Sequence, residues 1–198
     1  DGWLKIDKNE AKVTVTIKGN KKTETYTGTE KTVTDYTTEV TGAKGSEVNV
    51  ALKADAKAEA KGTNAGTYQM GLTKDSFKVT SNNYKNINVV VEDGSLKINP
   101  AEVTVTITGN KKTDTYDGTE KSVTGYTSEK TNNLYTDADF GLKADAKAKA
   151  KGTNAGTYQM GLTKDSFENK NANFAVTFVV TDGWLKIDKN EAKVTVTI

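Results

Sequence analysis

The sequence predicts an all-β protein built from two small tandem β domains, sandwich or β-grasp-like in arrangement and laid end to end. Three observations carry that expectation. The block Lys53 to Phe77 returns at Lys143 to Phe167 with one change, Glu59 becoming Lys149. Copies at a fixed period are the mark of repeated domains. Between the copies, short runs alternate β-branched and polar residues, the period of half-buried strands. Gly, Asn and Asp punctuate those runs at turn spacing.

The register extends beyond the block. Gly19-Asn20-Lys21-Lys22-Thr23 returns as Gly109-Asn110-Lys111-Lys112-Thr113, and Tyr26 to Lys31 returns as Tyr116 to Lys121. The signature Asp-Gly-x-Leu-Lys-Ile begins at Asp1, Asp93 and Asp182, and Asp1 to Ile17 is identical to Asp182 to Ile198. The phase divides the chain into residues 1–11, the end of a preceding repeat; 12–101, repeat 1; 102–192, repeat 2; and 193–198, the first strand of a following repeat. We therefore expect a window cut from a longer array.

Taken in order, Trp3 to Ile6 reads as a short strand and Asp7 to Lys12 as a hinge. Val13 to Ile17 alternates strictly and reads as a strand with one buried face. Gly19-Asn20 reads as a hairpin turn that returns Lys22 to Tyr26 as the partner strand. Lys31 to Tyr36 alternates again. Composition alone would make the alanine-rich block helical. But Ala54, Ala56, Ala58 and Ala60 recur at every second position, which gives one face on a strand and no stripe on a helix. It reads as a strand. Thr67 to Leu72 follows as a strand with Tyr68, Met70 and Leu72 inward, then one helical turn at Lys74 to Phe77, and a closing strand at Asn88 to Glu92.

Composition excludes several functions. Apolar residues make up 34% of the 198, so cores should be thin and surfaces wet. His and Cys are absent, and all 28 cationic residues are Lys. The commonest general base and metal ligand are therefore missing, as are thiolate sites and disulfides. Without Arg there is no bidentate grip on phosphate, and a net charge of +2 makes no basic face for nucleic acid. No run approaches the length of a membrane span.

Three features together resemble the MBG repeats of bacterial surface adhesins. They are Tyr26-Thr27-Gly28 with Tyr116-Asp117-Gly118, the Asn-Ala-Gly-Thr-Tyr of Asn64 to Tyr68, and the closing Asn83-Tyr84 followed by Asp93-Gly94-Ser95-Leu96-Lys97-Ile98. The resemblance covers nearly the whole chain. It implies tandem, mostly-β domains in long exported proteins anchored on the bacterial surface, a role in cell adhesion, and no catalysis. A mucin- or glycan-binding role is often attached to such proteins, but these motifs establish no binding residue.

Each candidate chemistry has a blander reading. Asp137 and Asp139 are paired carboxylates in an exposed, Lys-rich stretch that offers no desolvation. The Asp-Gly pairs lack the dense acidic loop that Ca²⁺ requires and read as turns. The Thr-x-Thr runs suggest ordered water but read as the solvent face of strands. Lys5, Lys97 and Lys186 could join Asn64, Asn83 or their copies in a covalent cross-link; on the bland reading they are surface lysines and turn asparagines. The repeats differ most where Val40 to Ala51 is replaced by Lys130 to Gly141, and recognition concentrates on such loops. Leu134, Tyr135, Asp137, Asp139 and Phe140 are therefore the candidate ligand-binding residues. The competing reading packs Leu134, Tyr135 and Phe140 back on the domain, with a short helix between Tyr135 and Phe140.

The expectation is thus a non-enzymatic stalk that holds a distal binding domain away from the cell, with no metal and no cofactor. Its partners would be neighbouring repeats of the same chain, with no nucleic acid or membrane contact and a monomeric state. The alternative is a weak multivalent module for a host glycan or surface protein.

Overall fold

The computed structural model describes residues 1–196. They form two compact units that divide between Pro100 and Ala101. Each unit is almost wholly β.

In the first unit the strands are β1 (Asn9–Gly19), β2 (Lys21–Thr25), β3 (Lys31–Thr34), β4 (Tyr36–Thr41), β5 (Asn49–Leu52), β6 (Glu59–Gly62), β7 (Gly66–Gln69), β8 (Phe77–Thr80), β9 (Tyr84–Glu92) and β10 (Ser95–Asn99). Two three-stranded sheets, β4-β1-β9 and β2-β10-β7, are each covered by a two-stranded one, β5-β8 and β3-β6 respectively. The alternation in β1 turns Val13, Val15 and Ile17 inward, where they pack with Val48, Leu72 and Phe77. Leu96 and Ile98 of β10 meet Val33 and Ala60 in a second core. Met70 touches both cores.

β1 and β2 behave as one bent ribbon, and β9 and β10 as another lying parallel to it. Residues Lys12–Lys18 run in register with Asn86–Glu92. Past the bend, Lys21–Thr25 run in register with Ser95–Asn99. The two bends cross at glycine, for a Cβ on Gly19 would stand 2.3 Å from the Gly94 nitrogen. Asn20 secures the corner: its carbonyl accepts from the Ser95 N–H at 3.1 Å, and its amide donates to the Thr34 carbonyl at 2.9 Å.

The second unit repeats this plan with β11 (Ala101–Gly109), β12 (Lys111–Thr115), β13 (Lys121–Thr124), β14 (Tyr126–Lys130), β15 (Phe140–Leu142), β16 (Lys149–Gly152), β17 (Gly156–Gln159), β18 (Phe167–Asn169), β19 (Phe174–Thr181) and β20 (Trp184–Asp188). Its sheets are β14-β11-β19, β12-β20-β17, β13-β16 and β15-β18.

Several expectations are corrected. Gly19-Asn20 is a corner and not a hairpin: β2 pairs with β10, and β1 lies between β4 and β9. The hinge at Asp7 to Lys12 is largely strand, because β1 begins at Asn9. Trp3 to Ile6 forms no strand and is exposed. Lys31 to Tyr36 is broken at Asp35, whose φ of 74° turns the chain from β3 into β4. The alanine block forms strand only from Glu59, with Ala60 buried opposite Val33. Upstream of it Ala54 is exposed, and the Ala56 N–H closes a turn on Lys53. The single helical turn is present as a 3₁₀ turn at Lys74–Ser76. The closing strand is longer than expected and starts at Tyr84.

Asp-Gly-x-Leu-Lys-Ile pairs within its own repeat, since β10 lies between β2 and β7. The last strand of the division by phase, residues 193–198, lies partly outside the described residues. Residues 193–196 form no strand.

Candidate functional site

The motifs that repeat between the units are occupied with holding turns. The Asp93 carboxylate accepts from the Gly71 N–H at 3.1 Å and the Leu72 N–H at 2.8 Å. Asp182 does the same for Gly161 and Leu162 at 3.0 and 2.8 Å. In Asn64 to Tyr68 the Tyr68 hydroxyl donates back to the Asn64 carbonyl at 2.9 Å. Its ring lies where a Cβ on Gly62 would be, only 2.2 Å away. Tyr158, Asn154 and Gly152 repeat the arrangement. These oxygens are satisfied by backbone, which explains the recurrence of the motifs without a ligand.

The variable segment is built differently in the two units. Thr136 precedes a 3₁₀ turn at Asp137–Asp139. The Asp139 carboxylate accepts from the Thr136 N–H at 2.7 Å, the Thr136 hydroxyl at 2.8 Å and the Asn171 amide at 2.9 Å. These bonds, the Thr136 backbone N–H foremost, hold its carboxyl below the usual carboxylate range. Asp137 is held low in the same way, by Lys130 first and Ser128 second.

Tyr135 is 1% exposed. Its hydroxyl proton is shared between the Asp139 carbonyl at 2.9 Å and Asn169 Oδ1 at 3.0 Å. Burial, helped by the Asp139 charge, pushes its phenol up to about 12. From Tyr135 a chain of ring contacts runs to Phe140 at 6.0 Å, on to Phe178 at 6.0 Å, to Phe167 at 5.7 Å and to Tyr126 at 5.2 Å. Phe174 meets Tyr135 edge-on at 5.0 Å. In repeat 1 Tyr36 meets Phe77 at 4.9 Å, and Val50, Val79 and Val89 pack against the same core.

Of the candidate residues, the structure makes Tyr135 and Phe140 core side chains and Asp139 a turn cap. Leu134 and Asp137 reach solvent, Leu134 at 49%. Beside them is a hollow of about 310 Å³ lined by Lys130, Asn132, Asn133, Tyr135, Thr136 and Asp137. The short helix expected between Tyr135 and Phe140 is the 3₁₀ turn. Sequence reasoning did not pick out a larger cleft of about 710 Å³ in the second unit, lined by Tyr116, Asp117, Asn154, Asn190 and Val194 among others. Its signal was the Tyr-x-Gly motif, read only as a family mark. Asp117 there is tied to Lys121 and Thr119, which hold its carboxyl far below the usual carboxylate range. No cluster of three or more acidic residues suited to a metal ion occurs among the described residues. Lys97 and Lys186 face solvent, away from the cores.

Fold and motifs together define a tandem array of small two-layer β domains whose signature side chains serve turns and corners. The chain belongs to the MBG domain family: a family model described as MBG domain matches residues 12–100 and again residues 102–197. No curated protein matches the chain. No helix among the described residues is long and apolar enough to cross a membrane.

Proposed function

We propose that these repeats are spacer segments of the stalk of a bacterial cell-surface adhesin, where they project a distal binding domain and bear tension. The observation that carries this reading is the pair of parallel ribbons within each unit. A pull on the start of β1 and the end of β10 draws one ribbon backwards along the other. The evenly spaced bonds of a parallel ladder are then loaded together instead of being peeled one at a time. In the second unit β11 and β19 form their own such ladder over Ala101–Thr108 and Phe174–Thr181, and β12 with β20 supplies the five pairs beyond the bend. A domain whose task is to hold a tip at a distance needs this resistance in its unfolding rate, the quantity that governs forced unfolding.

Single-molecule stretching tests the reading. The chain has no native cysteine, so handles can be placed at will. Pulling through the two ends of a unit should require several-fold more force than pulling through cysteines at Lys12 and Lys85, which would unzip β1 from β9. Equal forces in the two geometries would remove the support.

A second reading, a weak binding module for a host glycan or surface protein, draws on one observation: exposed Leu134, a residue type that 40–51 lacks, near the hollow at Lys130 and Asp137. A multivalent display of the chain on a glycan array tests it. Binding that vanishes when 130–141 is replaced by the residues of 40–51 favours the module; binding that persists, or none at all, counts against it.

A further inference from the structure

The strand β19 ends its sheet: β11 pairs with one side of it, and among the described residues no strand pairs with the other. Most sheet edges here carry the charges that keep edges from pairing with other chains. β9 has Lys85 and Glu92, β12 has Lys111, Lys112 and Asp114, and β14 has Glu129 and Lys130. Residues Phe174–Thr181 read Phe-Ala-Val-Thr-Phe-Val-Val-Thr. They contain no charge, no proline and no glycine, which is the composition that favours strand-to-strand association.

The ladder with β11 settles which backbone groups are free. The Ala101 N–H donates to the Asn173 carbonyl. In a parallel pair successive residues point their N–H and C=O alternately to the two sides. Residues 173, 175, 177, 179 and 181 therefore face β11, and the N–H and C=O groups of Val176, Phe178 and Val180 point outward. Phe174 is tied locally, donating to the Asn171 carbonyl and accepting from the Asn169 amide. Along this edge runs a groove of about 350 Å³, with Phe167, Val176 and Phe178 in its wall and Lys143, Lys164 and Asp165 at its rim.

We propose that β19 is a self-association edge, where the second unit of one chain pairs antiparallel with β19 of a second copy about a two-fold axis at Phe178. The occupant is a second copy because the edge is complementary to itself. Val176 meets Val180 of the partner subunit, and the two Phe178 backbones exchange both bonds. With the reciprocal pair this makes six hydrogen bonds that use every free group. Thr177 faces Val179 of the partner subunit in the close, non-bonded pairs between them. No like charges oppose one another, and each inner face continues the other's. Val179 is 49% exposed, so pairing covers an apolar side chain that water otherwise touches. Three free residues a side bury less than the ~1,200 Å² of a stable interface, so the association is weak, between ~10 μM and ~1 mM. This departs from the monomer that the sequence led us to expect, and it would join chains side by side.

Sedimentation velocity on the whole chain from about 1 μM to about 1 mM tests it. The wild type should pass from monomer to dimer. Thr177→Lys with Val179→Lys, which sets lysines opposite one another, should remain monomeric across the range. Asn88→Lys with Val90→Lys on β9 should dimerise like the wild type. A monomeric wild type at the highest concentration, or a dimer that survives the β19 lysines, overturns the proposal. Disulfide trapping decides the register and does not need the lysine variant to fold. Mixed Thr177→Cys and Val179→Cys chains should cross-link several-fold faster than Thr177→Cys chains alone, since only the mixed pair sits at disulfide distance. Equal rates overturn the pairing.

Discussion

Leucine in Asp-Gly-x-Leu-Lys-Ile occurs three times in nearly the same local sequence, and the structure places it in opposite environments. Leu96 and Leu185 are 0% exposed, each in the central strand of a three-stranded sheet, whereas Leu4 is 85% exposed. Substitution by alanine removes three carbons. At about 0.8 kcal/mol for each buried carbon the transfer cost is about 2.4 kcal/mol. The cavity adds to it, and burials of this kind have cost about 2.7–5.0 kcal/mol. Leu96 is held by β2 on one side and β7 on the other, so its site collapses poorly and the expected loss is about 4 kcal/mol. Leu185→Ala should cost the same in the second unit, and Leu4→Ala less than about 0.5 kcal/mol. Calorimetry resolves this when the two units melt separately: each buried variant should lower one transition by more than about 10 °C and leave the other in place. An equal effect at Leu4, or less than about 1 kcal/mol at Leu96, would refute the assignment of β10 and β20 as the centres of their sheets.

Gly94→Ala and Gly183→Ala should each cost at least about 3 kcal/mol, because the added carbon would stand 2.7 and 2.5 Å from the Asn20 and Asn110 carbonyl oxygens. Those oxygens belong to backbone and cannot swing away; a chemical denaturation midpoint unchanged by either variant would dismiss the crossing ribbons. Tyr135→Phe should destabilise the second unit by about 1 kcal/mol through its two hydroxyl contacts, and Tyr135→Ala by about 3–5 kcal/mol, read by the same denaturation. Asp117, Asp137 and Asp139 have lowered pKa values in the fold. Their contribution is therefore present above the unfolded value near 4 and disappears as pH falls through the lower folded values. The second unit, which carries all three, should lose stability as pH falls from ~4 to ~2; a calorimetric transition that stays level over that range would contradict this. For Tyr135 the sign reverses: its phenol is raised to about 12, so its contribution holds below pH ~10 and fades as pH rises toward the folded value. Ultraviolet titration should find late-ionising phenols, Tyr84 and Tyr126 being delayed by burial as well as Tyr135, and a Tyr135→Phe variant that removes none of the latest-ionising signal would argue against the burial of Tyr135.

The period, the β class and the inward face of single strands came from the sequence alone. Val13, Val15 and Ile17 could be assigned to a core from alternation, and the 3₁₀ turn after Thr73 from its local composition, because both depend on residues near in the chain. The variable segment could be located by comparing the copies. Which of its side chains face solvent could not, since Tyr135 and Phe140 are buried by Phe174 and Phe178, more than thirty residues away.

Partnership was the property that only tertiary structure decided. Alternation states which face of a strand is buried and says nothing of the strand beside it. The run before Lys22 therefore looked like half of a hairpin, when β2 runs parallel to a strand that begins at Ser95. The clearest case is the identical pair of segments Asp1 to Ile17 and Asp182 to Ile198. Val13 and Val15 are buried between β4 and β9, while the same residues recur exposed as Val194 and Val196. Leu185 and Ile187 are buried between β12 and β17, while Leu4 and Ile6 are exposed with no strand beside them. A lone strand leaves its backbone bonds to water and buries no face, so ordering it costs entropy with nothing to offset the loss. The residues carry the capacity for a strand, and the two neighbours that the fold brings to each side make it one.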